Sequence, residues 1–368
     1  MAVDIRNITD RRGWNDLVLT FPDPDVRQSY EWGEVHRTSG WQPLRLAAFD
    51  DARCVVALAV RVRHIAGLGA IAYAPRAPLI RATEPGGDSA LPRLIDVVAR
   101  RTAAVFLRVS PAKPDDGFVD HLRRAGFRPL PDLWSVWNTP RNIMVLPLHG
   151  SEEDVLGRMA RRRRQYVHAA IRHGDRPVVG SSLADVRNFY RMLVEHGRTA
   201  GYPVRDWLHF EALQREFAPQ GALLVLNGVI DGRAVCGMLG IRDGGRAYAL
   251  HAPTTPAARG TRAGDIVDWQ WIRWAREAGC REIDYGTTGT SIPPRETHPG
   301  YGIYRFKLDL GCESVLYSGW HDYVLAPLRY RVFRHAEVRA LPALRRWRAR
   351  PPLRSTTRAM PPARRAAA

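Results

Sequence analysis

At 368 residues the chain exceeds the size at which one hydrophobic core keeps growing, and its 45% hydrophobic and 25% charged content excludes a disordered chain. A net charge of +18 points to an anionic partner such as nucleic acid, a nucleotide or an acidic lipid surface. No run of about 18 or more apolar residues appears, so no membrane-spanning segment is expected; the nearest candidate, Cys54 to Pro75, is broken by Arg61, Arg63 and His64. Met1 to Trp14 alternates charge with short apolar residues and lacks the apolar core of a secretory signal, so a cytoplasmic protein is expected; a monomer is expected as well. Cys54, Cys236, Cys280 and Cys312 lie far apart with no histidine at zinc spacing, which predicts buried thiols, no metal and no cofactor.

In chain order, Pro43 to Phe49 alternates as a strand, Asp50 to Arg53 turns, and Cys54 to Arg63 reads as the returning strand of a hairpin. A short strand, Ala70 to Tyr73, enters the proline-bearing loop Ala74 to Pro78. A helix from about Ser89 to Ala104 and the apolar strand Val105 to Val109 follow. Glu152 to His173 is expected as one helix that contains Arg161 to Arg164 and stops at Gly174, and Leu183 to His196 as the next.

The first order of elements then recurs. Ala222 to Ile230, Ala234 to Ile241 and Arg246 to His251 read as a three-strand meander with turns at Asp231-Gly232 and Asp243-Gly244-Gly245. Another proline-bearing loop, Ala252 to Pro256, leads to a helix over Ala263 to Ala278 and a strand over Glu282 to Tyr285. Asp265 stands in the first turn of that helix and Gly279 ends it. The repeat implies an internal duplication of one α/β unit. Its strand and helix order is that of acyl-CoA N-acyltransferases, so the expected class is α/β (α+β): tandem GNAT-like domains with mixed sheets and flanking helices. The expected division is 1–148, 149–337, and a disordered or partly helical tail over 338–368 with nine arginines and no acid. That tail is either a solvated appendage or an attractor of tRNA or of a lipid surface.

Several segments carry a resemblance. They are QSYEWGEV at 28–35 and YAPRAP at 73–78 in the first half. RQYVHAAIRHG at 164–174, Arg198 to Tyr202, CREIDYG at 280–286 and GIYRFK at 302–307 with Gly311 follow in the second. YSGWHDY at 317–323 and APLRY at 326–330 close the series. Together these resemble the Fem family, which builds peptidoglycan interpeptide bridges from aminoacyl-tRNA, over roughly Asp10 to His335. The last segments look like the family's strand-loop-strand ending in Phe-Lys, its closing strand and its C-terminal helix. No sustained heptads are present, so the chain resembles the compact type without a coiled-coil arm. His36 stands near where the family can place a lysine that helps hold substrate phosphate.

Aminoacyl transfer from a tRNA ester to an amine needs both reactants positioned, a proton removed and a tetrahedral oxyanion stabilised. Of 55 basic residues only Lys113 and Lys307 are lysine, so a lysine at 307 is a specific choice in this composition. The resemblance points to Lys307 as well, as a cation for the developing alkoxide or terminal ribose oxygen. Asp284, at a strand end beside Gly286, is a second catalytic candidate as a base, or else an acid that caps the turn. By resemblance, Arg198, Tyr202 and Tyr248 contact the acceptor, or else serve as an ion pair and two core aromatics. His36, Arg76, Tyr304 and Arg305, within the quoted segments, join them as substrate-binding candidates. Arg161, Arg162, Arg163 and Arg164 are either a phosphate-tracking contact to the tRNA acceptor stem or a solvated helix face.

The rivals are a tRNA-dependent amide-forming enzyme of a natural-product pathway, an acyl-CoA N-acyltransferase, and a non-catalytic tRNA-binding protein. Binding of CoA needs a Gln/Arg-x-x-Gly-x-Gly/Ala turn, but counting from Arg259 puts Arg262 where the first glycine belongs. The first-half loop, Tyr73 to Ala82, has no glycine. Ser291, His298 and Asp309 share one polar stretch without a Gly-x-Ser-x-Gly elbow, which argues against a hydrolytic triad.

Overall fold

The computed structural model describes residues 3–81, 87–111, 116–131, 140–290 and 292–340. Lys113, Ser291, Ala82 and the tail beyond Ala340 lie outside the described residues. The first half contains β1 (Asp4–Asn7), α1 (Arg11–Leu19), α2 (Tyr30–Arg37), β2 (Gln42–Asp50), β3 (Arg53–Ile65), β4 (Gly69–Pro75) and β5 (Leu79–Ile80). It continues with α3 (Gly87–Thr102), β6 (Ala104–Ser110), α4 (Asp116–Arg124) and β7 (Arg128–Pro129). Next come β8 (Asn142–Pro147), α5 (Glu152–Arg158), α6 (Arg161–His173), β9 (Val178–Gly180), α7 (Leu183–Ala200), α8 (Trp207–Phe217), β10 (Leu223–Ile230), β11 (Arg233–Asp243) and β12 (Arg246–His251). The chain closes with α9 (Ala263–Glu277), β13 (Glu282–Thr287), α10 (Tyr301–Asp309), β14 (Glu313–Leu316), β15 (His321–Val324) and α11 (Pro327–His335).

These strands build two sheets of the same plan. The first runs β1-β2-β3-β4-β6-β15-β7, with β5 beside β3; the second runs β9-β10-β11-β12-β13-β8-β14. In each, among the described residues, only the fourth and fifth strands are parallel, β4 with β6 and β12 with β13. A crossover through a helix, α3 or α9, requires that pairing. The duplication expected from the element order is therefore present, as two GNAT-like units with helices on mixed sheets.

The sixth strand of each sheet comes from the other half of the chain. Strand β15 inserts between β6 and β7, and β8 inserts between β13 and β14. The 148/149 division therefore leaves β8 on the first-half side although it pairs in the second sheet. The segment 149–337 in turn supplies a strand to the first sheet. The two units are interlocked by this exchange.

Two local expectations are corrected. The single helix over Glu152 to His173 is two helices, because Met159 and Ala160 are extended (ψ 147° and 141°). Met159 is buried and the Ala160 N–H donates to Asp309 O at 2.9 Å, so tertiary packing outweighs continuous helix propensity there. The stretch ending in Phe-Lys is helix α10 rather than a strand. Tyr304 and Leu308 pack one turn apart on the second-half core, a helical spacing that the Ile-Tyr-Arg-Phe-Lys alternation disguises.

In the second core Trp269, Trp271 and Ile272 of α9 lie against β10 and β11. A Cβ at Gly240 would stand 2.2 Å from the Trp271 ring, so only glycine admits that indole. The four cysteines are buried and free, as expected. Among the described residues no helix is long and apolar enough to cross a membrane.

Candidate active site

A chain of charges crosses from the first half to the second. Asp25 is fully buried; its carboxylate accepts from the Arg27 backbone and side chain at 2.9 Å each and lies 3.5 Å from Arg246 and 3.8 Å from Arg76. Burial works against its charge, but Arg27, Arg76 and Arg246 outweigh burial and hold its carboxyl below the usual range. Arg27 also reaches Asp284, at 3.2 Å, and the other oxygen of Asp284 accepts the Gly286 N–H at 2.7 Å. Gly286 has φ +71°, which closes the end of β13 in a turn that favours glycine. Tyr248, fully buried, accepts the Val26 N–H at 3.1 Å and so ties the same loop to the second sheet.

Above these charges a cavity of about 400 Å³ opens between the halves. Arg27 and Arg76 border it below. Arg61 and Arg205 enter from the two sides, Trp41, Tyr73 and Trp320 form an aromatic wall, and Gly286 and Thr287 supply the second-half rim. Arg76 has φ +58°, its N–H bonded to Ser110 Oγ at 3.0 Å and its guanidinium 3.8 Å over the Tyr317 ring. Such a conformation in a non-glycine residue is a mark of functional sites.

Arg61 and Arg205 set the electrostatics. Among the described residues neither has a carboxylate within ion-pair distance, and the buried Arg61 Nε has no hydrogen-bond partner. Arg61 rests 5.1 Å from the Tyr73 ring. Desolvation, with help from Arg205 and Arg27, pushes its pKa down to about 10, and desolvation also lowers that of Arg205. The buried, uncompensated guanidinium of Arg61 is costly, whereas Arg205 is exposed to solvent, and an anion in the cavity would offset the cost at Arg61. His36 lines the same cavity; burial and the nearby Arg61, His209 and Arg205 hold it neutral, well below the usual histidine range. Its Nδ1 donates to Trp32 O at 3.0 Å, which leaves Nε2 with its lone pair.

Lys307 stands one layer behind the rim. From α10 its buried Nζ donates to Gly286 O at 3.2 Å and Thr287 O at 2.9 Å, using two of its three hydrogens. Desolvation pushes its pKa down to about 8, against the opposing pull of Cys312 and Asp284.

The structure thus brings Lys307, Asp284, Tyr248, Arg76 and His36 to one interface. It places the other candidates elsewhere. Arg198 and Tyr202 are exposed at the end of α7, Tyr202 against His196, and neither borders the cavity. Tyr304 packs on the second core and Arg305 pairs with Asp309 on the surface. Of the arginine run, Arg163 binds Asp265 and Asp268, and Arg164 donates to Gly157 O. Arg161 and Arg162 face outward. Sequence reasoning missed Arg27, Arg61 and Arg205. Arg61 carried a signal, a lone charge midway along an apolar strand, whereas Arg27 and Arg205 sit in loops with no pattern to mark them.

The comparisons with known proteins agree with this architecture. An acetyltransferase (GNAT) domain family model matches residues 157–307. The lipid II:glycine glycyltransferase of Staphylococcus haemolyticus is 21% identical over 90% of this chain and 96% of its own length. That of Staphylococcus aureus strain MSSA476 is 20% identical over 88% and 93%. The crystal structure of FemX superposes with a TM-score of 0.79 at 18% identity, covering 89% of this chain and 99% of that one. A tandem GNAT protein from the clavulanic acid biosynthesis pathway superposes at 0.53 with 11% identity, over 88% and 98%. The similarity to lipid II:glycine glycyltransferases thus extends over nearly the whole chain, and the fold is the tandem GNAT fold that FemX also has.

Proposed function

We propose that the protein transfers an aminoacyl group from aminoacyl-tRNA to an amine of a peptidoglycan precursor peptide, in the cytoplasm, as a monomer without a cofactor. The observation that carries this reading is the pair Arg61, buried, and Arg205, exposed: among the described residues neither has a carboxylate partner, and both line a cavity sized for the anionic part of such an acceptor. Phosphate oxygens there would receive charge-assisted hydrogen bonds from both guanidinium groups and from Arg76, while the aromatic wall takes an apolar or ring portion. The relatives named lipid II:glycine glycyltransferase support a precursor of the cell wall as acceptor.

In the reaction the acceptor amine attacks the ester carbonyl. The C–N bond forms, the ester C–O bond breaks, the terminal ribose oxygen leaves with a proton, and the amine gives one up. The third hydrogen on the Lys307 ammonium is the donor for the oxyanion or for the departing oxygen. Both oxygens of Asp284 are engaged, so its proposed role is to hold the Gly286 turn that Lys307 grips. Arg161 and Arg162, outward on α6, are the proposed contacts to donor phosphates. An acyl-CoA donor fits less well, since Arg262 occupies the loop position that needs glycine and is paired with Asp175 at 3.3 Å.

Incubation of the purified protein with bulk tRNA carrying labelled amino acids and a panel of peptidoglycan precursors tests the reading, with acyl-CoA donors in parallel. Transfer abolished by ribonuclease is expected. Transfer from acyl-CoA alone would overturn it, and transfer only to small natural-product amines would redirect the acceptor.

A further inference from the structure

We propose that His36 recognises a hydroxyl group carried beside the phosphate of the acceptor, so that the cavity between the halves takes a sugar or polyol phosphate. This rests on the anionic acceptor proposed above and adds an uncharged group to what the site reads. Helix α2 places the His36 side chain on the cavity, 6% exposed, among Trp32, Arg61 and Arg205. Its Nδ1 lies 3.0 Å from Trp32 O, one turn back on the same helix. A carbonyl oxygen only accepts, so the ring proton sits on Nδ1. The ring is held in place by Trp32 at 5.0 Å and by His209, edge-on at 5.8 Å between centroids.

What remains is Nε2, the far nitrogen of the ring, with a lone pair and, among the described residues, no hydrogen-bond partner. A second proton on the ring is opposed by burial and by the Arg61 and Arg205 guanidinium groups, which keep it neutral. The cavity therefore presents one acceptor within a wall of donors. Every oxygen of an ionised phosphate is an acceptor too, so a phosphate satisfies Arg61, Arg76 and Arg205 and leaves Nε2 unmet.

A buried acceptor without a donor is costly, and a ligand O–H pointed at Nε2 removes that cost. A sugar or polyol carries hydroxyls within a few bonds of its phosphate. The C–H face of a sugar ring also packs on aromatic faces, which Trp41, Tyr73 and Trp320 supply here, the last two stacked at 4.8 Å. An alkyl phosphate would fill the same space with no proton to give.

The test is titration of the full chain with glucose 1-phosphate and with cyclohexyl phosphate, followed by ligand-observed NMR. The two share a phosphate and a six-membered ring and differ in their hydroxyls, so attraction of either to the basic surface cancels in the ratio of their affinities. That ratio should shift against glucose 1-phosphate by about 3- to 10-fold in His36→Leu, the range of one neutral hydrogen bond. His36→Gln, whose amide oxygen accepts, should stay closer to the parent ratio, and melting temperatures check that both variants fold. An unchanged ratio in His36→Leu, or an equal shift in His36→Gln, would overturn the role of His36 and leave the anionic acceptor in place. Binding of neither phosphate to the parent chain would overturn both.

Discussion

The two sheets carry a tyrosine on the fourth strand in register with a charged residue on the fifth, Tyr73 with Arg108 in the first and Tyr248 with Asp284 in the second. What differs is the exchanged sixth strand. In the first sheet β15 sets Asp322 opposite Arg108, two hydrogen bonds of 2.7 and 2.8 Å join them, and Glu337 adds a second carboxylate. In the second sheet β8 sets Val145 opposite Asp284, so its charge is met by Arg27 from the other half. One position is sealed within its own sheet and the other is left to reach the interface. A duplicated scaffold thus yields one structural and one functional end through the residues of a single borrowed strand.

The largest way to break this comparison is to cut the chain. Fragments 1–148 and 149–368, made separately, should each fail to fold, because each sheet then lacks the strand that pairs with its fifth. Circular dichroism and amide dispersion check this, and recovery is expected when the two are produced together. Next in size, Asp322→Ala leaves Arg108 buried without its bidentate partner and should cost roughly 3–5 kcal/mol in chemical denaturation.

On the functional side, Lys307→Met should lower the transfer rate by about 10²–10³-fold while leaving stability unchanged or raised, since it removes a desolvated ammonium. The pH dependence sharpens this. With its pKa lowered to about 8, Lys307 is an ammonium below that pH and loses its charge above it. The rate should therefore fall as pH rises through about 8, and Lys307→Arg should lack that descending limb if it retains activity. A rate that climbs through the same range would make the neutral amine the working form.

Smaller effects are expected at the cavity. Arg205→Met should raise KM for a phosphate-bearing acceptor by about 10- to 100-fold, change kcat little, and leave the melting temperature unchanged because Arg205 is exposed. The smallest effect is Arg161→Gln with Arg162→Gln, which should reduce RNA affinity and lower its logarithmic salt slope by about 1 to 2. Unchanged slopes would make that run a solvated helix face.

The element order, the turns at Asp231-Gly232 and Asp243-Gly244-Gly245, the helix over 263–278 and the tandem class were legible along the chain. Each rests on local periodicity and backbone preference. Lys307 stood out as a candidate for a different reason: a lysine is rare in a chain that otherwise uses arginine. The helical state of α10 was not legible, because five residues of alternating polarity suit either period until packing decides between them. The strand exchange was equally hidden, since β8 and β15 read as ordinary short strands whichever sheet receives them.

Composition and pattern by themselves determined that this protein has two like α/β units, buried thiols and a basic end. Only the tertiary structure decided that Arg27, Arg61 and Arg205, from a loop, a strand and another loop, converge on one cavity with too few carboxylates. It alone separated Arg198 and Tyr202 from that cavity. The physical reason is that periodicity records which face of an element is buried, whereas the pairing of charges is set across 257 positions in the Arg27–Asp284 contact and leaves no local trace.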